Sequence, residues 1–307
     1  MQNTLYATAV ITVACGMALA QAQVNESLVQ TTLYVNCHHL HASDANTGLL
    51  PDYPLATVSA GVARAKTFIN TYKAGTKVWV FPGVYREAWP EPSGLKLTAA
   101  NAPLVFEGTN GSAAEIVLSG SELLTNGWGA FTAGIFTNFW PYNWGVHTQQ
   151  ARYGNTGLSA RREMLLVNGK LLEQKEAPGA LQPGTFCVDE TGDRVYVWPA
   201  DGITISAALI ESAVRPRVAR FDTSTNIVLR NLTVRHYNLP IWYDYYSGTP
   251  DHYYAGWGRA LVFNSCENVL VDGCRFEWNN SGGLAFGKLG GGAPSRQITV
   301  TNSVFNH

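Results

Sequence analysis

The pattern of apolar positions repeats three times in about the last ninety residues of the chain. Segments 226–236, 268–278 and 297–307 align so that the second, fourth and ninth positions of each are apolar. The sixth position holds only Asn or Gly, residues that tolerate a positive φ, which indicates a turn between two short strands. A preceding strand also repeats and places three phenylalanines in register, namely Phe221, Phe263 and Phe286. The chain therefore contains an internal repeat with spacings of 42 and 29 residues.

A repeat of this size, with three short strands, cannot bury its apolar face alone. Stacking successive units about 4.8 Å apart buries one continuous core, so the repeat predicts a solenoid of parallel strands. Side-chain alternation then brings outward charges together on neighbouring turns, with Arg230 beside Asp272 and Arg235 beside Glu277. We interpret both as exposed ion pairs worth about 0–1 kcal/mol each.

Upstream of the repeat, one segment has helical periodicity. Residues 54–70 carry apolar side chains at helical spacing, with Thr57 or Ser59 as the N-cap, and predict a helix. The other predicted elements are strands at 77–81, 103–108 and 115–121, surface loops over 122–160 and two hairpins within 161–210. One helix followed by strands indicates an all-β fold and excludes the alternation of a doubly wound sheet.

The repeats resemble those of right-handed parallel β-helix proteins, the pectate-lyase-like superfamily. Residues 33–65 and 78–87 (VWVFPGVYRE) are similar to the N-terminal cap and first turn of its secreted carbohydrate-active members. Residues 118–128, 160–174 (ARREMLLVNGKLLEQ) and 184–199 resemble β-helical glycoside hydrolases, including the β-xylosidase-like ones. The resemblance implies a right-handed single-stranded parallel β-helix with an N-terminal cap helix and an inserted β-hairpin subdomain. It implies no particular reaction, because β-helices host lyases, hydrolases, esterases and adhesins.

The predicted organisation begins with a signal peptide over residues 1–22. No residue from Leu5 to Ala20 is charged, the stretch is too short to span a bilayer, and small residues at its end provide an A-x-A cleavage site. The segment before it lacks Lys and Arg, so a buried N-terminal strand is the alternative. The further predicted units are the cap and first turns at 33–120, a loop-rich β-hairpin excursion at 121–210 and β-helix repeats at 211–307.

The last predicted unit ends inside a repeat, without a polar capping segment. Because a solenoid needs a cap at each end, we expect the sequence to be truncated at its C-terminal end. Catalytic residues of relatives often lie in later turns, so some can lie beyond His307.

Composition narrows the classes of function. Only 14% of residues are charged and the net charge is −1, which argues against nucleic acid as a partner. A secreted or periplasmic location would allow two disulfides among Cys37, Cys187, Cys266 and Cys274, although the last two occupy core positions of the repeat. No cysteine or histidine cluster has metal-ligand spacing. We therefore expect no metal, no cofactor and no membrane span, and a monomeric protein.

An insertion within the longer repeat carries the candidate chemistry. It contains seven aromatic residues within the sixteen positions 242–257, against 11% aromatic residues in the whole chain. Aromatic faces stack on sugar rings, and polar side chains bind hydroxyls, so the segment suits a sugar platform. The predicted substrate-binding residues are Trp242, Tyr243, Tyr245, Tyr246, His252, Tyr253, Trp257 and Arg259. A self-packed aromatic lid is the alternative, and residues 139–144 likewise suit either a second sugar wall or packing.

Glycoside hydrolysis requires two carboxyl groups about 5–9.5 Å apart. Asp272 and Glu277 already have arginines as expected partners, so Asp244 and Asp251 in the insertion are the predicted catalytic pair. The favoured function is a polysaccharide- or oligosaccharide-degrading glycoside hydrolase. The alternatives are a polysaccharide lyase on the same fold, for which no acidic cluster beside Lys or Arg is evident, and a non-catalytic carbohydrate-binding or adhesin β-helix.

Overall fold

A computed structural model describes residues 21–89, 94–109, 116–132, 134–144, 157–238, 259–280 and 282–306 of the chain. Within these ranges the chain forms three parallel sheets, two largely antiparallel sheets and one α-helix. The chain visits the three parallel sheets in the same order on each turn, so that each turn stacks on the previous one. This is the architecture of a parallel β-helix, and the stack of turns is called the coil below.

The parallel sheets are named A, B and C. Sheet A contains β1 (Val29–Val35), β2 (Gly75–Val80), β4 (Leu104–Gly108), β16 (Thr225–Arg230), β19 (Glu267–Asp272) and β22 (Arg296–Thr301). Sheet B contains β3 (Gly83–Arg86), β5 (Ile116–Ser119), β17 (Thr233–Arg235), β20 (Arg275–Glu277) and β23 (Val304–Asn306). Sheet C contains β15 (Ala219–Asp222), β18 (Leu261–Asn264) and β21 (Leu284–Gly287).

The strands define five successive turns, called rungs. Rung 1 contains β2 and β3, rung 2 contains β4, β5 and β15, and rung 3 contains β16, β17 and β18. Rung 4 contains β19, β20 and β21, and rung 5 contains β22 and β23. Every neighbouring pair of strands within these three sheets is parallel.

The predicted repeat register is confirmed. Phe221 pairs with Phe263, which pairs with Phe286, and their stacked rings have centroids 4.9 and 5.4 Å apart. Phe276 and Phe305 stack in the same way at 4.9 Å inside sheet B. Identical side chains thus form columns through the core, because in-register parallel strands place equivalent residues above one another.

The turn between sheets A and B also behaves as the repeat predicts. Asn231, Gly273 and Asn302 have φ values of 59°, 63° and 49°. This left-handed conformation carries little strain for Gly and is tolerated by Asn. The same sharp bend can therefore recur on successive rungs.

The predicted helix is observed as α1 (Val58–Tyr72). Thr57 is its N-cap, and its side chain accepts a hydrogen bond from the Ala60 amide at 3.1 Å. The buried face of α1 packs on β1 and β2, and a Cβ atom at Gly61 would lie 2.9 Å from a methyl group of Val35. The absence of a side chain at Gly61 therefore lets the helix approach sheet A closely and cover its inner residues.

The antiparallel sheets, named D and E, lie between β5 and β15 in the chain. Sheet D contains β6 (Ser121–Leu123), β9 (Leu165–Val167), β10 (Lys170–Leu171) and β14 (Ile210–Ala213). Sheet E contains β7 (Gly129–Thr132), β8 (Ile135–Phe139), β11 (Glu173–Gln174), β12 (Thr185–Asp189) and β13 (Arg194–Trp198). Both predicted hairpins, β9–β10 and β12–β13, are present.

The prediction of surface loops over 122–160 is wrong for its first part. Strands β7 and β8 form an antiparallel pair, β8 also pairs with β13, and Trp140 is completely buried in the core of this region. Short strands with little alternation are stabilised here by pairing with a hairpin more than fifty residues later in the chain. No local pattern in the sequence encodes that pairing.

One predicted ion pair is confirmed and one is wrong. Arg230 Nε lies 3.4 Å from Asp272 Oδ2 on the next rung, as predicted. Arg235 is in register with Glu277, but the Glu277 carboxylate is bound by Arg275, on its own strand. Residues two apart in a strand project from the same face, so Arg275 reaches this carboxylate as readily as a neighbour on the next rung.

The four described cysteines are free thiols, so the structure contains neither of the two disulfides considered from the sequence. Cys266 and Cys274 are buried, as expected for core positions of the repeat. Among the described residues, no helix is both long and apolar enough to cross a membrane.

Truncating the central phenylalanine of the sheet C column tests the stacking. Phe263 is fully buried between two aromatic rings, so Phe263→Ala should lower the free energy of unfolding by about 3–5 kcal/mol. The matched control is Phe286→Ala. It should lower the free energy of unfolding clearly less, because the Phe286 side chain is 37% exposed. Urea denaturation followed by circular dichroism measures both, and equal losses would contradict the buried column.

Candidate functional site

Most of the predicted site lies outside the described residues. This applies to Asp244 and Asp251 and to the aromatic and histidine residues Trp242, Tyr243, Tyr245, Tyr246, His252, Tyr253 and Trp257. The described residues on either side, Asn238 and Arg259, fix where the insertion leaves and rejoins the coil. That place is the bend between sheets B and C, which is called the corner here, and the insertion occupies it on rung 3.

The antiparallel excursion leaves the coil at the same corner, one rung earlier. The Gly120 amide donates to the Arg235 carbonyl (2.9 Å), and the Val214 amide donates to the Gly120 carbonyl (2.9 Å). The Asn238 amide donates to the Arg215 carbonyl at 2.8 Å. The strand ends of the excursion are therefore bonded directly to the residues that lead into the insertion.

A buried polar cluster lies beneath this junction. Arg86 Nη1 donates to Glu211 Oε1 at 2.6 Å, and Ser121 Oγ donates to the same oxygen at 2.9 Å. His236 Nδ1 lies 3.8 Å from that oxygen. Glu211 and His236 are only 1% and 2% exposed, so the cluster joins the excursion to the coil and does not present a surface to a ligand.

The environment sets the charges in this cluster. Burial raises the pKa of Glu211, but the hydrogen bonds from Arg86 and Ser121 outweigh it, and the pKa is lowered overall. Burial lowers the pKa of His236 to about 4; Glu211 opposes this change, while Arg235 and Arg86 add to it. At neutral pH a charged Arg86–Glu211 pair therefore lies beside a neutral histidine.

Glu122 is an accessible carboxylate at the corner. Its side chain is 43% exposed and forms an ion pair with Arg215, whose guanidinium also donates to the Ser121 carbonyl at 2.9 Å. Burial raises the pKa of the Tyr142 hydroxyl, and the negative charge of Glu122 raises it further. Glu122, Arg215 and Tyr142 therefore form a neighbouring carboxylate, guanidinium and phenol beside the root of the insertion.

The other predicted wall, residues 139–144, uses its rings for packing. Tyr142 and Trp144 stack with centroids 5.0 Å apart, and the Arg162 guanidinium lies 4.4 Å from the Trp144 centroid. Trp140 meets both rings edge-on. Because Tyr142 and Arg162 both pack on the Trp144 ring, its surface is used for contacts within the protein, and the geometry favours the packing alternative over a sugar wall.

Arg259 is the predicted binding residue that the structure does describe. It lines a cavity of about 270 Å³, whose other lining residues are Phe276, Asn279, Gly282, Gly283, Leu284, Phe305 and Asn306. Its Cδ and Nε atoms lie against Gly282, where a Cβ atom would come within 2.8 Å of each. Phe276 and Phe305 belong to the stacked column of sheet B, so the cavity lies between the ends of the core side chains of rungs 4 and 5 and the Arg259 guanidinium, next to the end of the insertion.

The corner brings together residues that the sequence did not single out. Arg86, Glu122 and the pair Glu211 and Arg215 come from three separate segments of the chain and belong to no catalytic motif. The one available signal was Glu211, a single charge within the apolar stretch ALIESAV. Asp272 and Glu277, the other carboxylates considered, are engaged by Arg230 and Arg275. Over the described ranges, no three His, Cys, Asp or Glu side chains could hold a metal ion.

No family model matches the chain, and no curated protein matches it in sequence. It is similar to a solved structure described as the complex of XylC with xylose, with a TM-score of 0.53 and 14% identity over 81% of this chain. The chain spans 41% of the length of that structure. A second solved structure, described as a glycoside hydrolase, has a TM-score of 0.49 and 10% identity, covering 81% of this chain and 63% of that one. The stacked parallel sheets of this chain and its likeness to the XylC structure confirm the resemblance to parallel β-helix proteins at the level of the fold.

Removing His236 tests the buried cluster. A pKa lowered to about 4 means that the unfolded chain binds a proton below pH 6.5 and the folded chain does not, so stability falls as the pH falls. Between pH 7 and 5 this histidine should cost about 2 kcal/mol of unfolding free energy. His236→Asn, which tolerates the positive φ of this position, should remove that part of the pH dependence. Urea titrations at both pH values measure it; the exposed His41→Asn is the control and should leave the dependence unchanged.

Proposed function

We propose that this chain is a secreted carbohydrate-active protein that hydrolyses glycosidic bonds in a polysaccharide or oligosaccharide. The observation that carries the proposal is the corner. The aromatic-rich insertion leaves the coil there, beside the accessible Glu122–Arg215 pair and the cavity lined by Arg259. Aromatic faces, carboxylates and guanidinium groups are the chemistry that binds sugar rings and their hydroxyls.

The proposal includes the finer features of the fold and the location. We infer a right-handed coil, because crossovers between parallel strands of one sheet are almost always right-handed. The uncharged stretch from Leu5 to Ala20 supports export through a signal peptide. We propose cleavage after Ala20, at the first of the two A-x-A sites, so that residues 21 onward stay in the mature protein. We also propose that the protein is a monomer.

Asp244 and Asp251 are the proposed catalytic carboxylates. They lie seven residues apart in one insertion, and a folded-back segment can bring two such groups to the separation that glycoside hydrolysis needs, about 5–9.5 Å. One would protonate the leaving oxygen, and the other would act as nucleophile or activate water. Glu122, held by Arg215, would bind sugar hydroxyls on the excursion side.

Xylose is the ligand named for the XylC structure, so xylose-containing oligosaccharides are the first proposed substrates. A carbohydrate-binding protein without catalysis is the second candidate. It is favoured by the pairing of Glu122 with Arg215 and of Glu277 with Arg275, since a carboxylate held by arginine is suited to binding.

Product analysis distinguishes these functions. Incubation with xylo-oligosaccharides should release new reducing ends, and Asp244→Asn or Asp251→Asn should reduce the rate by at least about 100-fold. Asp52→Asn, in the N-terminal region, is the control and should retain the rate. With a uronate-containing oligosaccharide as substrate, products that absorb in the near ultraviolet would identify a lyase, because elimination needs a proton next to a carboxylate. Binding of xylo-oligosaccharides without any products would identify the non-catalytic alternative.

The aromatic platform has its own test. The double variant Trp242→Ala/Trp257→Ala should weaken binding of xylo-oligosaccharides by at least about 10-fold, because each ring supplies a stacking face. Isothermal titration calorimetry measures the affinity. Tyr72→Ala removes an aromatic ring that is 67% exposed at the end of α1 and should leave binding unchanged. Equal affinity of the wild-type protein and the double variant would rule out the platform.

A further inference from the structure

Two apolar side chains in a row on the outside of sheet A are unexpectedly buried. Val105, Val228, Leu270 and Thr299 are in register on rungs 2 to 5 and point away from the core of the coil. Nevertheless, Val105 and Val228 are only 1% and 0% exposed. Outward-facing side chains of an uncovered sheet would be accessible to solvent, so another part of the chain must cover this row.

The segment 21–28 runs along this row. The Ala22 amide donates to Thr299 Oγ1 on rung 5 at 2.9 Å, and the Gln23 amide donates to Asn268 Oδ1 on rung 4 at 2.5 Å. At its other end the Leu28 carbonyl lies against Gly75 at the start of β2. The segment therefore crosses the sheet from rung 5 back to rung 1 before it enters β1.

The burial pattern shows which side of the segment faces the sheet. Ala22 and Val24 are half-buried, whereas Gln21, Gln23 and Asn25 are exposed. This alternation is that of an extended chain with one apolar face. The two small apolar side chains thus face the row that contains Val105 and Val228.

A charge pair on rung 3 provides a third attachment. Arg230 Nη2 lies 2.6 Å from Glu26 Oε1, and Arg230 Nη1 lies 3.0 Å from Glu107 Oε2. Arg230 also contacts Asp272 on the next rung. Glu26 therefore joins an existing ladder of charges and connects the segment to three successive rungs.

We propose that residues 21–28 form a strap, an intramolecular ligand of the outer face of sheet A that locks rungs 2 to 5 together. In a solenoid each rung contacts only its neighbours, so the terminal rungs can separate locally from the rest of the coil. The strap connects Ala22 to Thr299 directly. Because its docking site is complete only when rung 5 has formed, the strap docks after the coil and closes it.

A disulfide trap tests the docking in the full chain. Ala22→Cys/Thr299→Cys should form a cross-link under mild oxidation, since the Ala22 amide and the Thr299 hydroxyl are in hydrogen-bond contact. The matched control is Ala22→Cys/Val304→Cys, whose second position is exposed on sheet B. Peptide mapping by mass spectrometry should find the 22–299 link and at least 10-fold less of the 22–304 link. Comparable amounts of both, or neither, would overturn the proposal.

A second measurement does not depend on new cysteines. Hydrogen exchange of the amides of residues 22–26 should be slowed in the wild-type protein and about 10-fold faster in Thr299→Val, which lacks the acceptor oxygen but keeps the shape of the side chain. Thr301→Val, on the same strand, is the control for altered strand propensity and should not change the exchange. Exchange at the rate of an unprotected peptide in the wild-type protein would show that no strap is docked.

Discussion

The whole structure depends on the in-register stacking of parallel strands. Each rung presents unpaired backbone groups and an apolar interior that only the next rung can satisfy. Equivalent positions must therefore lie above one another, and the phenylalanine columns and the Arg230 charge ladder follow from this constraint. The corner depends on it too, because two chain segments can leave side by side only if adjacent rungs bend at the same place.

The stacked part of the fold was predictable because its determinants are local and repeated. The spacing of Ile227, Leu229 and Val234 recurs in each repeat, and a recurring Asn or Gly marks the bend. Helix α1 was predictable for the same reason, since its apolar spacing and its cap at Thr57 lie within one short segment. In these regions neighbouring residues alone determine the backbone conformation and the buried face.

The features that were not predicted depend on partners distant in the chain. Strand β8 has weak periodicity and is defined by its pairing with β13. The cluster of Arg86, Glu211 and His236 assembles from three separate segments. The strap joins residues 277 positions apart. Such contacts cannot be inferred from a single sequence, because each partner alone is an ordinary polar or small residue on a strand or loop.

The shared corner has an evolutionary consequence. Rung 2 accommodates the long excursion there and rung 3 a shorter aromatic segment, while rung 4 makes the same bend with only a few residues between β20 and β21. The strands on either side keep their register in all three cases. The scaffold can thus acquire, lose or exchange loops at this position without changing its core. New recognition surfaces can arise there by grafting, and a protein engineer could transplant a foreign loop between β20 and β21 in the same way.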